Sequence, residues 1–242
     1  MLKRLLPVFC CLLLFSAIKA QRSKALPFYK AGMNYKLNNN NTEALNSFAK
    51  AVLADKKFDS AYTEMGNIYA AGGKIDNGIY SFTKAIQINP NYTAALFGMG
   101  KIYRDAKQNL DSAIFFFDAA EKTDKGNKEI YYGLAWIYNA KKEYDRAISY
   151  AVKSLEIDNT YKPAYGELGH AYRASKKFAE CIEQLKKNLA ISVVDVALLY
   201  SGYCYTEIHD KVGAMQQYEA LLKINEKMAG ALKKKIDAMP AN

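Results

Sequence analysis

The sequence predicts an all-α repeat array, six helix-turn-helix hairpins in succession closed by one further helix. Three observations carry this. A small residue followed three positions later by tyrosine recurs as Gly32–Tyr35, Gly66–Tyr69, Gly100–Tyr103, Ala135–Tyr138, Gly169–Tyr172 and Gly202–Tyr205. Successive copies start 34, 34, 35, 34 and 33 residues apart, a period that belongs to stacked-repeat chains. A second small residue follows each copy by twelve or thirteen positions, at Ala44, Gly78, Ala113, Ala147, Cys181 and Ala214, so each unit holds two apolar stretches with helical spacing.

Residues 1–20 stand apart from this pattern. Lys3 and Arg4 precede a mostly apolar run, Leu5 to Ile18, and Ala20 leads into the polar Gln21-Arg22-Ser23-Lys24. This is the layout of a secretory signal peptide cut after Ala20, with an uncleaved N-terminal anchor as the alternative. The run is short for a bilayer-spanning helix. The layout resembles bacterial export signals, which places the protein outside the cytoplasm: periplasmic, envelope-associated or secreted.

The units then follow in order. Residues 25–58 carry Phe28, Ala31 and Gly32, an Asn38–Asn41 turn, then Ala44, Phe48 and Ala51. Residues 59–92 carry Tyr62, Met65, Gly66 and Tyr69, the turn Gly72-Gly73-Lys74, then Gly78, Phe82, Ala85 and a closing Pro90. Residues 93–127 carry Leu96, Met99, Gly100 and Tyr103 before Ala113, Phe117 and Ala120. Residues 128–161 carry Tyr131, Leu134, Ala135 and Tyr138, the turn Ala140–Glu143, then Ala147, Ala151 and Ser154. Residues 162–194 form a unit one residue short, with Asn188 where the other units favour alanine, which predicts an irregular second helix. Residues 195–228 carry Gly202, Tyr205, Ala214, Tyr218 and Leu221. Residues 229–242 are the last helix and tail, with Ala229 to Ala238 covering the final hairpin and Lys233, Lys234 and Lys235 on its polar outer face. A basic docking site for an anionic surface, and so a peripheral membrane contact, is the alternative reading of those lysines. Helices of this length are marginal alone in water, so each hairpin depends on its neighbours. Small residues on facing helices let the backbones approach, and the tyrosine buries its ring in the seam.

These residues resemble the tetratricopeptide repeat family, whose pattern is aromatic-x-x-Leu-Gly-x-x-Tyr followed by Ala-x-x-x-Phe-x-x-Ala. The resemblance spans residues 25–228 and implies a right-handed superhelical solenoid that binds proteins or peptides. It also implies that the first helices of successive units line a groove. The groove positions lie three before, one after and four after the first small residue, and from them come the candidate binding residues Asn67, Phe97, Lys101, Arg104, Tyr132, Trp136, Asn139, His170, Arg173 and Tyr203. Aromatic and arginine side chains dominate binding energy at interfaces. Trp136 is the only tryptophan, and the packing pattern does not require it.

Composition excludes several classes. Half the residues are hydrophobic and 24% are charged, a globular balance. Loss of residues 1–20 lowers the formal charge from +10 to +7, a moderate excess that reads as solvated lysines. No histidine or cysteine stands at metal-ligand spacing, and no phosphate-cradling loop or nucleophile elbow appears. The chain is therefore expected to be non-enzymatic, with no cofactor and no metal. Nucleic acid is not an expected partner, because the basic residues form no dense run before the C-terminus. Asn40-Asn41-Thr42 and Asn91-Tyr92-Thr93 match the glycosylation pattern by chance. Cys181 and Cys204 fall at or near small buried positions, which favours free thiols, with a disulfide as the alternative. Three functional readings follow: a groove that holds an extended peptide or partner protein, an envelope assembly component that uses other faces, and a glycan-binding module.

Overall fold

The computed structural model describes residues 6–240, with side chains from residue 21 onward. Residues 1–5, the side chains of the rest of the expected signal segment, and residues 241 and 242 of the tail lie outside what is described. Regular structure among the described residues is helical throughout, and the chain divides into two compact units, Met1–Thr123 and Asp124–Asn242.

The first unit holds α1 (Leu6–Leu37), α2 (Asn41–Ala54), α3 (Asp59–Ala71), α4 (Ile75–Ile88), α5 (Thr93–Asp105) and α6 (Leu110–Thr123). They pair as the hairpins α1/α2, α3/α4 and α5/α6; α3 also packs directly on α5. The second unit holds α7 (Lys128–Ala140), α8 (Tyr144–Ile157), α9 (Lys162–Ala174), α10 (Phe178–Ile191), α11 (Asp195–Glu207), α12 (Lys211–Leu222) and α13 (Glu226–Asp237). Here α7 packs on α9, α9 on α11 and α11 on α13, so in each unit the odd-numbered helices lie side by side. Among the described residues, no helix is long and apolar enough to cross a membrane.

The glycines of the repeat seat aromatic rings. A Cβ added to Gly32 would stand 2.6 Å from the Phe48 ring, one on Gly66 2.8 Å from Phe82, and one on Gly100 3.0 Å from Phe117. All three rings are buried, each contributing about 1.5–3 kcal/mol by leaving water. The expected backbone approach is present as well, since a Cβ on Gly78 would lie 3.4 Å from the Gly66 carbonyl oxygen. The fourth hairpin confirms the coupling of glycine to ring by exchanging both partners: Ala135 takes the glycine place and Ala151 the phenylalanine place, and both are fully buried. In Gly169 and Gly202 the space is filled from the next odd helix, by Tyr200 and Leu232.

The motif tyrosines divide between the units. Tyr138 and Tyr172 are buried as the seam predicts, whereas Tyr35 is 40% exposed. Every hairpin turn contains one left-handed residue: Asn39, Gly73, Gln108, Lys142, Lys176 and His209, with φ between 51° and 72°. His209 thus serves a turn.

The first helix runs from Leu6, ahead of the first repeat unit. Arg22, just past the expected cut, holds this helix to the connection between α2 and α3: its Nε lies 2.7 Å from Asp55 and its guanidinium 4.1 Å over the Phe58 ring. Two expectations are corrected. The fifth unit's second helix, α10, is a regular 14-residue helix; Asn188 is tolerated because Gln184 one turn earlier donates to its Oδ1 at 3.2 Å. Cys181 and Cys204 are bonded to each other rather than free, linking α10 to α11 across 6.5 Å between Cα atoms. Both sit in buried places on helices already packed together, and that proximity is what the sequence spacing did not reveal.

Helix α13 buries Ala229, Leu232 and Ile236, and it presents Lys234 and Lys235 outward. Lys233 is paired with Asp237 on the same helix, so the basic cluster is smaller than its sequence suggests.

Candidate functional site

The three groove registers of the odd helices do different work. The register three before the small residue packs the array. Tyr29 lies 5.6 Å from Phe48 and 4.9 Å from Phe58, Thr63 is buried and donates to the Asp59 carbonyl, Phe97 rests 5.7 Å from Phe117, and Tyr132 meets Tyr161 edge-on at 5.8 Å. The register four after the small residue ties successive odd helices together. Lys36 pairs with Glu64, Asn139 donates from Nδ2 to the Glu167 carboxylate at 2.8 Å and carbonyl at 3.0 Å, and Arg173 reaches Glu207 at 3.6 Å. Arg104, in the same register, is only 11% exposed, chelates Asp105 and lies 5.9 Å over the Phe117 ring. Arg173 also lies 5.1 Å over Tyr203. Neither arginine presents an uncommitted charge.

The register one after the small residue lines the open surface. In the first unit Asn67 and Lys101 border a cleft of about 550 Å³ with Lys36, Ile75, Phe82 and Asp105. Lys101 is exposed and sits 5.6 Å over Phe97. In the second unit Trp136 and His170 border a cleft of about 610 Å³ with Asn139, Gly166, Glu167 and Tyr200. His170 is exposed and Tyr144 meets its ring edge-on at 6.3 Å. Gly166 leaves its floor open, because a Cβ there would touch nothing within 4 Å. Burial pushes the Tyr200 hydroxyl above its ordinary pKa, with Glu167 and Tyr203 adding to the rise and Arg173 opposing it, so Tyr200 stays neutral at physiological pH.

Asn139 is the distinctive group of the second cleft. It is only 6% exposed, and its amide orientation is set by Glu167, which offers two acceptors to Nδ2. Its Oδ1 is buried and accepts no hydrogen bond. An unsatisfied buried acceptor costs about 1–3 kcal/mol.

Sequence reasoning missed Glu167, Tyr144 and Tyr200. Glu167 had a signal: it stands two before its small residue, as Glu64 does, and each acid falls 28 positions after the polar residue it binds.

The period, the glycine-ring seats and the paired helices point to one family, and direct comparison decides it. Residues 66–105 match a family model described as TPR repeat, and residues 128–161 match one described as tetratricopeptide repeat. Both segments are tetratricopeptide repeats. Solved structures with the same fold include PilW, a widely conserved type IV pilus biogenesis factor, which is 17% identical, with 86% of this chain and 98% of that chain covered and a TM-score of 0.67. They also include Pseudomonas aeruginosa pilF, at 14% identity, 89% and 99% coverage and a TM-score of 0.68. YrrB, a TPR protein with an unusual peptide-binding site, is 18% identical over 77% of this chain and 97% of that one, with a TM-score of 0.60. No curated protein matches the sequence. Tetratricopeptide repeats are generally protein-interaction scaffolds.

Proposed function

We propose that the protein is a non-enzymatic scaffold whose second-unit cleft, around Trp136, holds an extended peptide segment of a partner protein. The carrying observation is the cleft of about 610 Å³ walled by Trp136, His170 and Tyr200, with Asn139 and Glu167 on its border. An extended chain offers a backbone N–H at every residue, and rigid aromatic walls supply contact area at low entropic cost. The first-unit cleft, with Asn67 and Lys101, would extend the recognition to an acidic side chain. PilW has the same fold and is a pilus biogenesis factor; with the export-type N-terminal segment, this favours a partner in the bacterial envelope.

Panning a random peptide display library on the folded protein tests the reading. Selected peptides should bind wild type and lose at least tenfold in affinity to Trp136→Ala and His170→Ala, with helicity unchanged. Peptides that bind both variants as they bind wild type would remove the cleft assignment. Oligosaccharides that displace the peptides and quench Trp136 would favour the glycan reading instead.

A further inference from the structure

The even-numbered helices of the first unit carry a second cleft, of about 590 Å³, between α2 and α4. Its walls include Leu53, Tyr62 and Tyr80, and its rim includes Lys56, Lys57 and Lys84; no acidic residue lines it. Leu53 is 77% exposed and Tyr80 is 60% exposed. Neither is required by the repeat. At the Tyr80 register the fourth and fifth hairpins carry Ser149 and Glu183, and at the Leu53 register the second and fourth carry Gln87 and Glu156.

The nearby carboxylates are committed elsewhere. Asp55 is held by Arg22 and by the Lys57 backbone N–H, and Asp59 by Asn89 and Ser60. None of the three lysine ammonium groups meets a carboxylate among the described residues; Lys84 reaches only Gln87, at 3.4 Å, and the Tyr80 ring, at 5.5 Å. Three cations around an apolar recess with no internal counter-charge are complementary to an anion that carries an apolar group.

We propose that this cleft docks an acidic peptide segment of a partner protein, with one bulky apolar side chain entering the recess and flanking carboxylates meeting Lys56, Lys57 and Lys84. A recess of about 590 Å³ has room for one inserted apolar side chain. This site lies on different helices from the cleft at Trp136 and does not depend on it.

The test is fluorescence anisotropy with the full chain and a dye-labelled peptide, Glu-Asp-Phe-Asp-Glu, beside Lys-Lys-Phe-Lys-Lys and Glu-Asp-Gly-Asp-Glu. The first peptide should bind and the other two should not. Its affinity should fall at least tenfold in the double variant Lys56→Glu/Lys84→Glu and about fivefold in Tyr80→Ser, which borrows the residue of the fourth hairpin. It should also fall between 50 and 300 mM salt, since exposed charges are screened over about a Debye length. Circular dichroism checks that both variants keep their helicity; the changed side chains are at the surface. Equal binding of the acidic and basic peptides, or unchanged binding in both variants, overturns the proposal. So does loss of binding in Trp136→Ala instead, which would assign the peptide to the other face. Failure of the peptide to bind, with anionic phospholipid vesicles pelleting the protein through Lys56 and Lys84, would make the surface a membrane contact.

Discussion

Gly98→Ala tests whether the phenylalanine rings are seated on glycines. Phe82 lies between two glycines of neighbouring odd helices, Gly66 on α3 and Gly98 on α5. A Cβ on Gly98 would stand 2.4 Å from Phe82 Cζ and 2.6 Å from Cε1. Non-bonded carbons rest about 3.5–4.0 Å apart, so the ring would have to retreat by about 1 Å. It is 1% exposed and already fills the space above Gly66, so retreat means moving a helix. Overpacking of this kind costs about 1–3 kcal/mol. Against it stands the helix preference of alanine over glycine, about 1 kcal/mol. The net expectation is a loss of up to about 2 kcal/mol. Gly230 supplies the control: it lies inside α13 with nothing within 4 Å of its added Cβ, so Gly230→Ala should stabilise by about 1 kcal/mol. Urea unfolding followed by circular dichroism gives the signs, and hydrogen exchange reports α5 and α13 separately. Phe82→Leu should rescue part of the Gly98→Ala loss, with a coupling energy of about 1 kcal/mol in the double-mutant cycle. If Gly98→Ala stabilises as Gly230→Ala does, or is strictly additive with Phe82→Leu, the ring-seat explanation fails.

Three other outcomes follow from the same geometry. Non-reduced, denatured protein should show no free thiol at Cys181 or Cys204, and reduction should destabilise the second unit by about 3 kcal/mol, the value for a loop near this length; two titratable thiols before reduction would contradict the bond. Lys176→Gly, at φ 58°, should stabilise by up to about 1 kcal/mol because glycine bears no left-handed penalty, and destabilisation in urea melts would show that the turn is unstrained. The Lys128 and Thr160 hydrogen bonds hold the Asp158 carboxyl at about 2, below its ordinary 3.8. A depressed pKa contributes stability above the unfolded value and loses it as pH falls through the folded one. Asp158→Asn should therefore lower the melting temperature at pH 7 but match wild type near pH 2, and a gap independent of pH would refute that linkage.

Much of the helix plan was legible in the sequence because it rests on period. Six small residues at 33- to 35-residue spacing, each with an aromatic or apolar partner sixteen or seventeen residues on, determine which helices pair. The meaning of the glycine was less legible, because the side chain that fills its space comes from another helix, and from a different one in the fifth and sixth hairpins. The groove was legible only in one register. Trp136 and His170 do line an open cleft, but Arg104 and Arg173 are drawn to Asp105 and Glu207, and Asn139 to Glu167. Spacing places a side chain on a face; which neighbouring charge claims it depends on the register between helices. The disulfide escaped for the same reason, since Cys181 and Cys204 look like ordinary small core residues until α10 and α11 are seen in contact.

A partner's backbone in the cleft bordered by Trp136 and Asn139 would leave a direct spectroscopic trace. The chain has one tryptophan and therefore one indole N–H resonance in a proton–nitrogen NMR spectrum. Titrating a display-selected peptide should shift that resonance and the Asn139 side-chain amide together, with a common affinity. Saturating binding that leaves both resonances where they are in the free protein would contradict the claim.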